Sequence, residues 1–565
     1  MSTIQNYPNQ LKKKNNRSII LIAFLLIAVN IGAYFFSAQL DLTADQRYST
    51  TKATKQLLEN IADPIEVTVY LTGENVPAAF QRLSKSTVSV LNNFRNISNQ
   101  KLNFKILDPL GADTAVFEQI QQYRMQGVAV TVDAGKQGKE QKMIFPWVLV
   151  KNTKTGAAMP VFIQETNSPQ LSRSVLNKSE MLLEYNIANA INQVSKTEVT
   201  KVAFLTGNEE AIGYQVLSAL GALGSYYQLD TVNLQQQQAI PLDYKAVIIC
   251  NPQAQFSTID KFKIDQYIMQ GGRVLFFMNA ASGTLDSFKQ TGTFNSLQIE
   301  NNLSDLLFQY GVRINANLVA DWTSERIPLS TTGNIQESQL YPWVYFPVLK
   351  ANEKHPVTKN LEGVLGRFVS NIDLIENDIQ KTVLLQTSRY SKVEAVPTPL
   401  ALTNAILEET TAIYKDGEQN VAVLLEGSFT SLYKNNRPEE LVQFLQSTTV
   451  QPVGQSAENG KILVVSDADI IANDLTREGP LDLGEYIYGS YKYDNKSFLL
   501  NSVKYLTNEN NLLEARNKSF SNRILDPKRV ERERGFWQLM NIALPALSIV
   551  TLGLVWFFLR KKKYG

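Results

Sequence analysis

The residues best suited to chemistry in this chain are a group of carboxylates. Asp467, Asp469, Asn473 and Asp474 follow directly on the apolar run Ile462 to Val465. Carboxylates at a strand end suit Mg²⁺ or Ca²⁺, which take oxygen ligands. Their spacing does not match the EF-hand loop, and Asp467 would serve equally well as a helix cap. Metal-dependent hydrolysis through Asp467 and Asp469 is therefore one reading, and a purely structural cap is the other.

Cys250 is the only cysteine and His355 the only histidine. Cys250 ends an apolar run, where a nucleophile stands in many α/β enzymes. It is followed by Asn251-Pro252, with no glycine for a nucleophile elbow and no histidine close in sequence. A buried cysteine acting as a small hydrophobe fits better. One cysteine permits no intramolecular disulfide and no cysteine metal cluster. One histidine removes most zinc sites and the usual Ser-His pairing, and His355, beside Pro356, reads as a loop residue. Gly207-Asn208-Glu209-Glu210 follows another apolar run, at the position where α/β sheets bind ligands. Its glutamates would repel a phosphate, so it reads as a strand-to-helix turn with Glu near the helix N-terminus. No P-loop sequence occurs, so ATP hydrolysis by this chain is not expected. These residues define no catalytic, cofactor or metal site. The densest aromatic stretch, Tyr341-Pro342-Trp343-Val344-Tyr345-Phe346-Pro347, reads as an edge strand or extended loop because of its prolines. It is either a flap packed over a sheet or a partner contact made by Tyr341, Trp343, Tyr345 and Phe346.

The elements that would hold these groups follow from the apolar pattern. A chain of 565 residues with 44% hydrophobic and 19% charged composition is too long for one ordinary domain and normal for folded protein. The 55 basic and 53 acidic residues are nearly balanced, which argues against a nucleic-acid partner. Two apolar runs, residues 18–38 and 536–559, are each long enough to cross a ~30 Å hydrocarbon core as a helix. Lys12, Lys13, Lys14 and Arg17 precede the first run, and Arg560, Lys561, Lys562 and Lys563 follow the second. Both short ends, 1–17 and 560–565, are thus expected in the cytoplasm and the body on the other side of the membrane.

Residues 39–197 read as a small α/β unit. Strands are expected at Ile65 to Leu71, Leu102 to Leu107, Val128 to Val132, Met143 to Val150 and Val161 to Gln164. Helices near Ser49 to Ile61, from Ala78, at Val116 to Met125 and around Leu183 to Val194 separate them. This order suggests a thioredoxin-like sandwich without the Cys-x-x-Cys of redox proteins. Residues 198–513 change texture, with short continuous apolar runs at Val202 to Leu205, Ala246 to Cys250, Val274 to Met278, Val383 to Leu385, Val421 to Leu425 and Ile462 to Val465. Such runs predict a parallel sheet buried on both faces. Residues 514–535 read as a polar stalk.

Several stretches together resemble a known family. They are Asp41-Leu42-Thr43 with Tyr48-Ser49, Val69-Tyr70-Leu71-Thr72-Gly73, Val202-Ala203-Phe204-Leu205-Thr206-Gly207, Asp265-Gln266-Tyr267-Ile268 and Gly271-Gly272-Arg273-Val274-Leu275. Tyr310-Gly311-Val312, Leu425-Glu426-Gly427-Ser428-Phe429 and Val465-Ser466-Asp467-Ala468-Asp469 complete the set. The pattern is similar to the GldG family, auxiliary (substrate-binding-like) proteins of a bacterial ABC transporter linked to gliding motility. The resemblance implies a flavodoxin-like second domain, akin to class I glutamine amidotransferases without their Cys and His. It also implies a permease and an ATPase on separate chains, and an inner-membrane protein with most of its chain in the periplasm. A non-enzymatic transporter subunit is the leading expectation. A structural scaffold of a motility or secretion machine and a membrane-tethered metal-dependent hydrolase are the alternatives.

Overall fold

A computed structural model of the chain describes residues 24, 25, 27 and 49–564, except 73–75, 111–113, 134–138, 165–172, 197, 289–290, 331–337, 403–410, 478, 490, 509–511 and 513–526. The chain divides into two compact units, Tyr48–Lys518 and a second formed by Met1–Arg47 with Ser519–Gly565. It is a mixed α/β protein.

The first sheet of the larger unit is built from β1 (Ile65–Val69), β2 (Leu102–Ile106), β5 (Trp147–Asn152) and β6 (Ala158–Phe162), in the order β2-β1-β5-β6. β1 runs parallel to β2 and antiparallel to β5, so that Val67 lies between Phe104 and Val150. Helix α1 (Lys52–Glu59) is capped by Thr51, whose hydroxyl accepts from the Thr54 N–H. Helix α2 (Ala78–Ile97) turns Phe80, Leu83, Thr87, Leu91 and Phe94 inward at helical spacing. With Leu183, Ile187, Ile191 and Val194 of α4 (Arg173–Ser195), these side chains cover one face of the sheet. Helix α3 (Thr114–Gln122) covers the other through Val116 and Ile120, which pack on Tyr70 and Leu149. The expected single strand Met143 to Val150 is in fact two. β3 (Val128–Asp133) and β4 (Lys139–Ile144) form a separate hairpin, and Phe145-Pro146 interrupts the chain before β5. Pro146 has no N–H to donate to a ladder, so one strand cannot run through it.

The second sheet carries the candidate chemistry. Its strands are β7 (Lys201–Thr206), β8 (Gln228–Asn233), β9 (Tyr244–Cys250), β10 (Val274–Phe277), β11 (Ser324–Leu329), β12 (Gln339–Ala351), β13 (Gln380–Gln386), β14 (Asn420–Gly427) and β15 (Gly460–Val465). They lie side by side as β11-β12-β13-β14-β15-β10-β9-β7-β8. The strands from β15 to β8 are mutually parallel, whereas β14 is antiparallel to β15 and β13 is antiparallel to β14. The sheet is therefore mixed, not the wholly parallel one expected. Alternate residues serve opposite faces. Phe204, Ile248, Leu275 and Leu463 pack against α5 (Leu217–Gly224) and α9 (Asn495–Leu506). Leu205, Val247, Phe276 and Val464 pack against α6 (Thr258–Met269) and α7 (Ser304–Tyr310). Gly311 ends α7 at φ +103°, a left-handed position at which a β-carbon is costly. Between these lie α8 (Glu439–Ser447) and several short strand pairs.

In the second unit, α10 (Pro527–Tyr564) is a continuous helix. Its segment Arg532–Lys562 contains an 18-residue stretch with a mean hydropathy of 2.3 and no buried residue, and it is long and apolar enough to cross a membrane. The expected stalk is thus partly helix, since residues 527–535 open α10 and residues 514–526 lie outside the described residues. The expected first span, residues 18–38, also lies outside them, apart from Phe24, Leu25 and Ile27, which are helical and exposed.

Candidate functional site

The carboxyl ends of the parallel strands bring together the acidic group, Cys250 and the Gly207 turn. Asp467 is fully buried after β15. Its Oδ1 accepts from the Asp469 N–H at 2.8 Å, capping the 3₁₀ turn Ala468–Ile471, and its Oδ2 accepts from the Arg367 N–H at 2.8 Å. Asp469 accepts from the Asn279 side-chain amide at 3.3 Å, and Asn279 in turn accepts from the Ala468 N–H at 2.7 Å. Burial raises both carboxyls above their ordinary range. The charge of Asp469 lifts Asp467 further, while Arg367 opposes the rise at both. Asp474 faces another partner, forming a two-pronged ion pair with Arg367 at 2.6 and 2.9 Å. That guanidinium lies over the rings of Phe346 and Tyr486 at 5.4 and 5.6 Å. Asn473 turns away, accepting from the Ser218 N–H and donating to the Tyr214 carbonyl. The four residues therefore act as clips between separate segments. Among the described residues, no three His, Cys, Asp or Glu side chains come together as metal ligands.

Cys250 is buried at the end of β9 among Phe204, Ile248 and Phe277. Burial and then the nearby charges of Asp469 and Glu210 push its thiol far above the usual range. A thiol in such a place is a poor nucleophile. His355 lies elsewhere, with its Nδ1 accepting from the Val357 N–H and its ring edge-on to Tyr505 at 4.8 Å. Glu210 does not stand at a helix start. It folds back, accepting from the Asn208 N–H at 2.7 Å, around a turn held by Gly207 at φ +122°. Burial raises its carboxyl, and among the described residues Glu210 Oε1 and Asn208 Oδ1 are buried without a hydrogen-bond partner.

The aromatic stretch lies within β12. Trp343, Tyr345 and Phe346 are buried and pack on one another, on Phe288 and on Phe368, whereas Tyr341 is half-buried. The prolines are tolerated because Pro342 and Pro347 lie opposite β11 in register, the other edge asks of Pro347 only its carbonyl, which accepts from the Gly366 N–H at 2.9 Å, and the β13 contacts begin later, at Lys350. Of the four residues expected at a partner surface, three are thus interior to an aromatic cluster.

Sequence reasoning missed where the family-like stretches meet. Asp265 of α6 is fully buried, and its carboxylate accepts from the Tyr310 hydroxyl at 2.9 Å, the Ser431 hydroxyl at 2.7 Å and the Leu432 N–H at 3.0 Å. Tyr310 also lies edge-on to Phe429 at 5.4 Å. The signal available was an acidic residue set among Phe262, Ile264, Ile268 and Met269, since an unpaired buried carboxylate is too costly to keep. It also missed a cleft of about 390 Å³ where the chain leaves β10, bounded by Met278, Asn279, Gln298 and Leu307 among others.

A family model described as an ABC-type uncharacterized transport system matches residues 200–502, more than half of the chain, and a second, described as a domain of unknown function, matches residues 44–151. None of the curated proteins matches it. Among solved structures, the N-terminal domain of mmIFT52 is similar at a TM-score of 0.31 and 12% identity, covering 55% of this chain and 97% of that one. A ThuA-like protein from Parabacteroides merdae is similar at a TM-score of 0.26 and 12% identity, covering 55% and 91%. Both scores are too low to carry an argument about function. The match over residues 200–502 spans the second sheet and its helices, and the chain belongs to the ABC transporter auxiliary family.

Proposed function

We propose that this protein is a non-enzymatic accessory subunit of a bacterial ABC transporter associated with gliding motility, working with a permease and an ATPase on separate chains. The match of the auxiliary family to residues 200–502 carries this reading. The strand order of the parallel part, in which the second strand precedes the first and the third, fourth and fifth follow, supports a flavodoxin-like description of that domain. The β2-β1-β5-β6 sheet supports a thioredoxin-like description of the smaller one. A non-catalytic role agrees with the occupation of Asp467 by backbone N–H groups and the burial of Cys250. The protein is held in the inner membrane by two spans, with the body in the periplasm. Its membrane helices contact the permease, because Asn541, Pro545 and Gly553 in the second span are residue types used where transmembrane helices pack.

The test replaces residues 18–38 and 536–559 with Leu/Ala helices of equal length and purifies the chain in mild detergent from its native cells. Loss of co-purifying permease and ATPase is expected. Undiminished recovery would move the contact to the body, and absence of any ABC component from the unaltered chain would overturn the assignment.

A further inference from the structure

We propose that the cleft beside Asn279 binds a short, extended, uncharged peptide segment. It opens at the carboxyl end of β10, and its volume of about 390 Å³ falls in the range of small-molecule sites. Its polar groups select the ligand. The side chains of Gln255, Gln298 and Ser304 line the cleft, are exposed and, among the described residues, make no hydrogen bond to protein. A primary carboxamide offers an acceptor oxygen and N–H donors in one plane, which complements the C=O and N–H of a peptide group. Among the described residues, Glu300 is the only charged one in the lining, so a phosphate or carboxylate would enter without a cation and against a negative charge. Among the described residues none of the lining is aromatic, which removes the stacking surface that a nucleobase or sugar ring would use. Met278, Leu307 and Ile314 instead form an aliphatic wall suited to a small apolar side chain.

The wall is held in shape before any ligand arrives. Asn279 is bonded on one side to the Ala468 N–H and on the other to Asp469, so the strand end cannot swing into the cleft without breaking both contacts. Preorganisation of this kind lowers the ordering cost of binding. The backbone around Gln298 is also tied down, with Ser282 N–H donating to Leu297 at 2.8 Å and Ile299 N–H donating to Ala280 at 2.9 Å. Asn279 is thus a positioning residue, whereas Gln255, Gln298 and Ser304 face the ligand. This inference stands apart from the transporter assignment, because it depends only on the lining of the cleft.

The experiment is calorimetric titration of the full-length protein in detergent micelles with acetyl-Ala-Leu-Ala-amide, acetyl-Glu-Leu-Glu-amide and maltotriose. The neutral peptide is expected to bind with a Kd of ~1 mM or tighter, and the acidic peptide about tenfold more weakly. Gln298→Ala should weaken the neutral peptide by roughly tenfold, the value of one lost hydrogen bond. Ala316→Trp, which fills the cleft, should abolish binding, and Glu300→Gln, a change of one exposed side chain, should restore the acidic peptide toward the neutral one. Persistent burial of the Cys250 thiol in each variant checks that the fold is intact. Absence of neutral-peptide binding, binding indifferent to both Gln298→Ala and Ala316→Trp, or tighter binding of maltotriose would each overturn the proposal. Co-purification of transporter components with Gln298→Ala is read separately, so that failure here and failure of the transporter assignment remain distinguishable.

Discussion

Replacement of Asp265 is expected to be among the most destabilising single changes in the large sheet. Its carboxylate gathers the Tyr310 hydroxyl, the Ser431 hydroxyl and the Leu432 N–H, and it also receives the Gln266 amide at 2.9 Å. In Asp265→Ala the first three donors stay buried without an acceptor, at ~1–3 kcal/mol each. Allowing the hydroxyls to reorient, the loss comes to about 3–6 kcal/mol, a large part of a typical folding free energy of ~5–15 kcal/mol. Asp265→Asn keeps the volume and one acceptor oxygen, and it relieves the burial that holds the carboxyl above its ordinary range. Its cost should be ~1–2 kcal/mol. Urea unfolding of the full-length protein in micelles, followed by tryptophan fluorescence, gives the order wild type, then Asn, then Ala. An alanine variant within about 1 kcal/mol of wild type, or an asparagine variant as unstable as alanine, would refute the reasoning.

Other expectations concern single residues. His355 is held neutral, its value lowered to about 4 by burial and then by Lys461. Between about pH 4 and the unfolded value near 6.5, the unfolded chain binds a proton that the folded chain does not, so this residue makes stability rise with pH across that window. His355→Gln should gain stability relative to wild type at pH 5 and not at pH 7.5, and an equal difference in urea midpoint at both would contradict the assignment. The Cys250 thiol should resist an impermeant maleimide in the native protein and react after unfolding, because it is buried and its ionisation is suppressed. Fast stoichiometric labelling of the native state at neutral pH would count against the described environment. In a Cys250→Ser background, a cysteine at position 2 should stay unlabelled by an impermeant reagent in intact spheroplasts, and labelling there would reverse the expected orientation of the termini.

The apolar runs Val202 to Leu205, Ala246 to Cys250, Val274 to Met278 and Ile462 to Val465 were legible as strands because helices cover both faces of the sheet, leaving every position in a run apolar. The turn of α2 was equally legible from Phe80, Leu83, Leu91 and Phe94, whose spacing follows from one buried face. Strand direction was not. Val421 to Leu425 has the same apolar texture as the strands around it, yet it runs antiparallel to both Val383 to Leu385 and Ile462 to Val465, because burial sets side-chain type and says nothing of chain direction. The partners of polar groups were also hidden. Asp467 and Asp474 look alike in sequence, but one accepts from backbone N–H groups and the other from the Arg367 guanidinium, more than a hundred residues away along the chain. The cleft beside Asn279 joins segments that are distant in sequence, so no local pattern marks it. Composition and periodicity determine which residues leave water, whereas only the packed chain determines which groups then meet, since each buried polar atom takes whatever partner the fold brings within bonding distance.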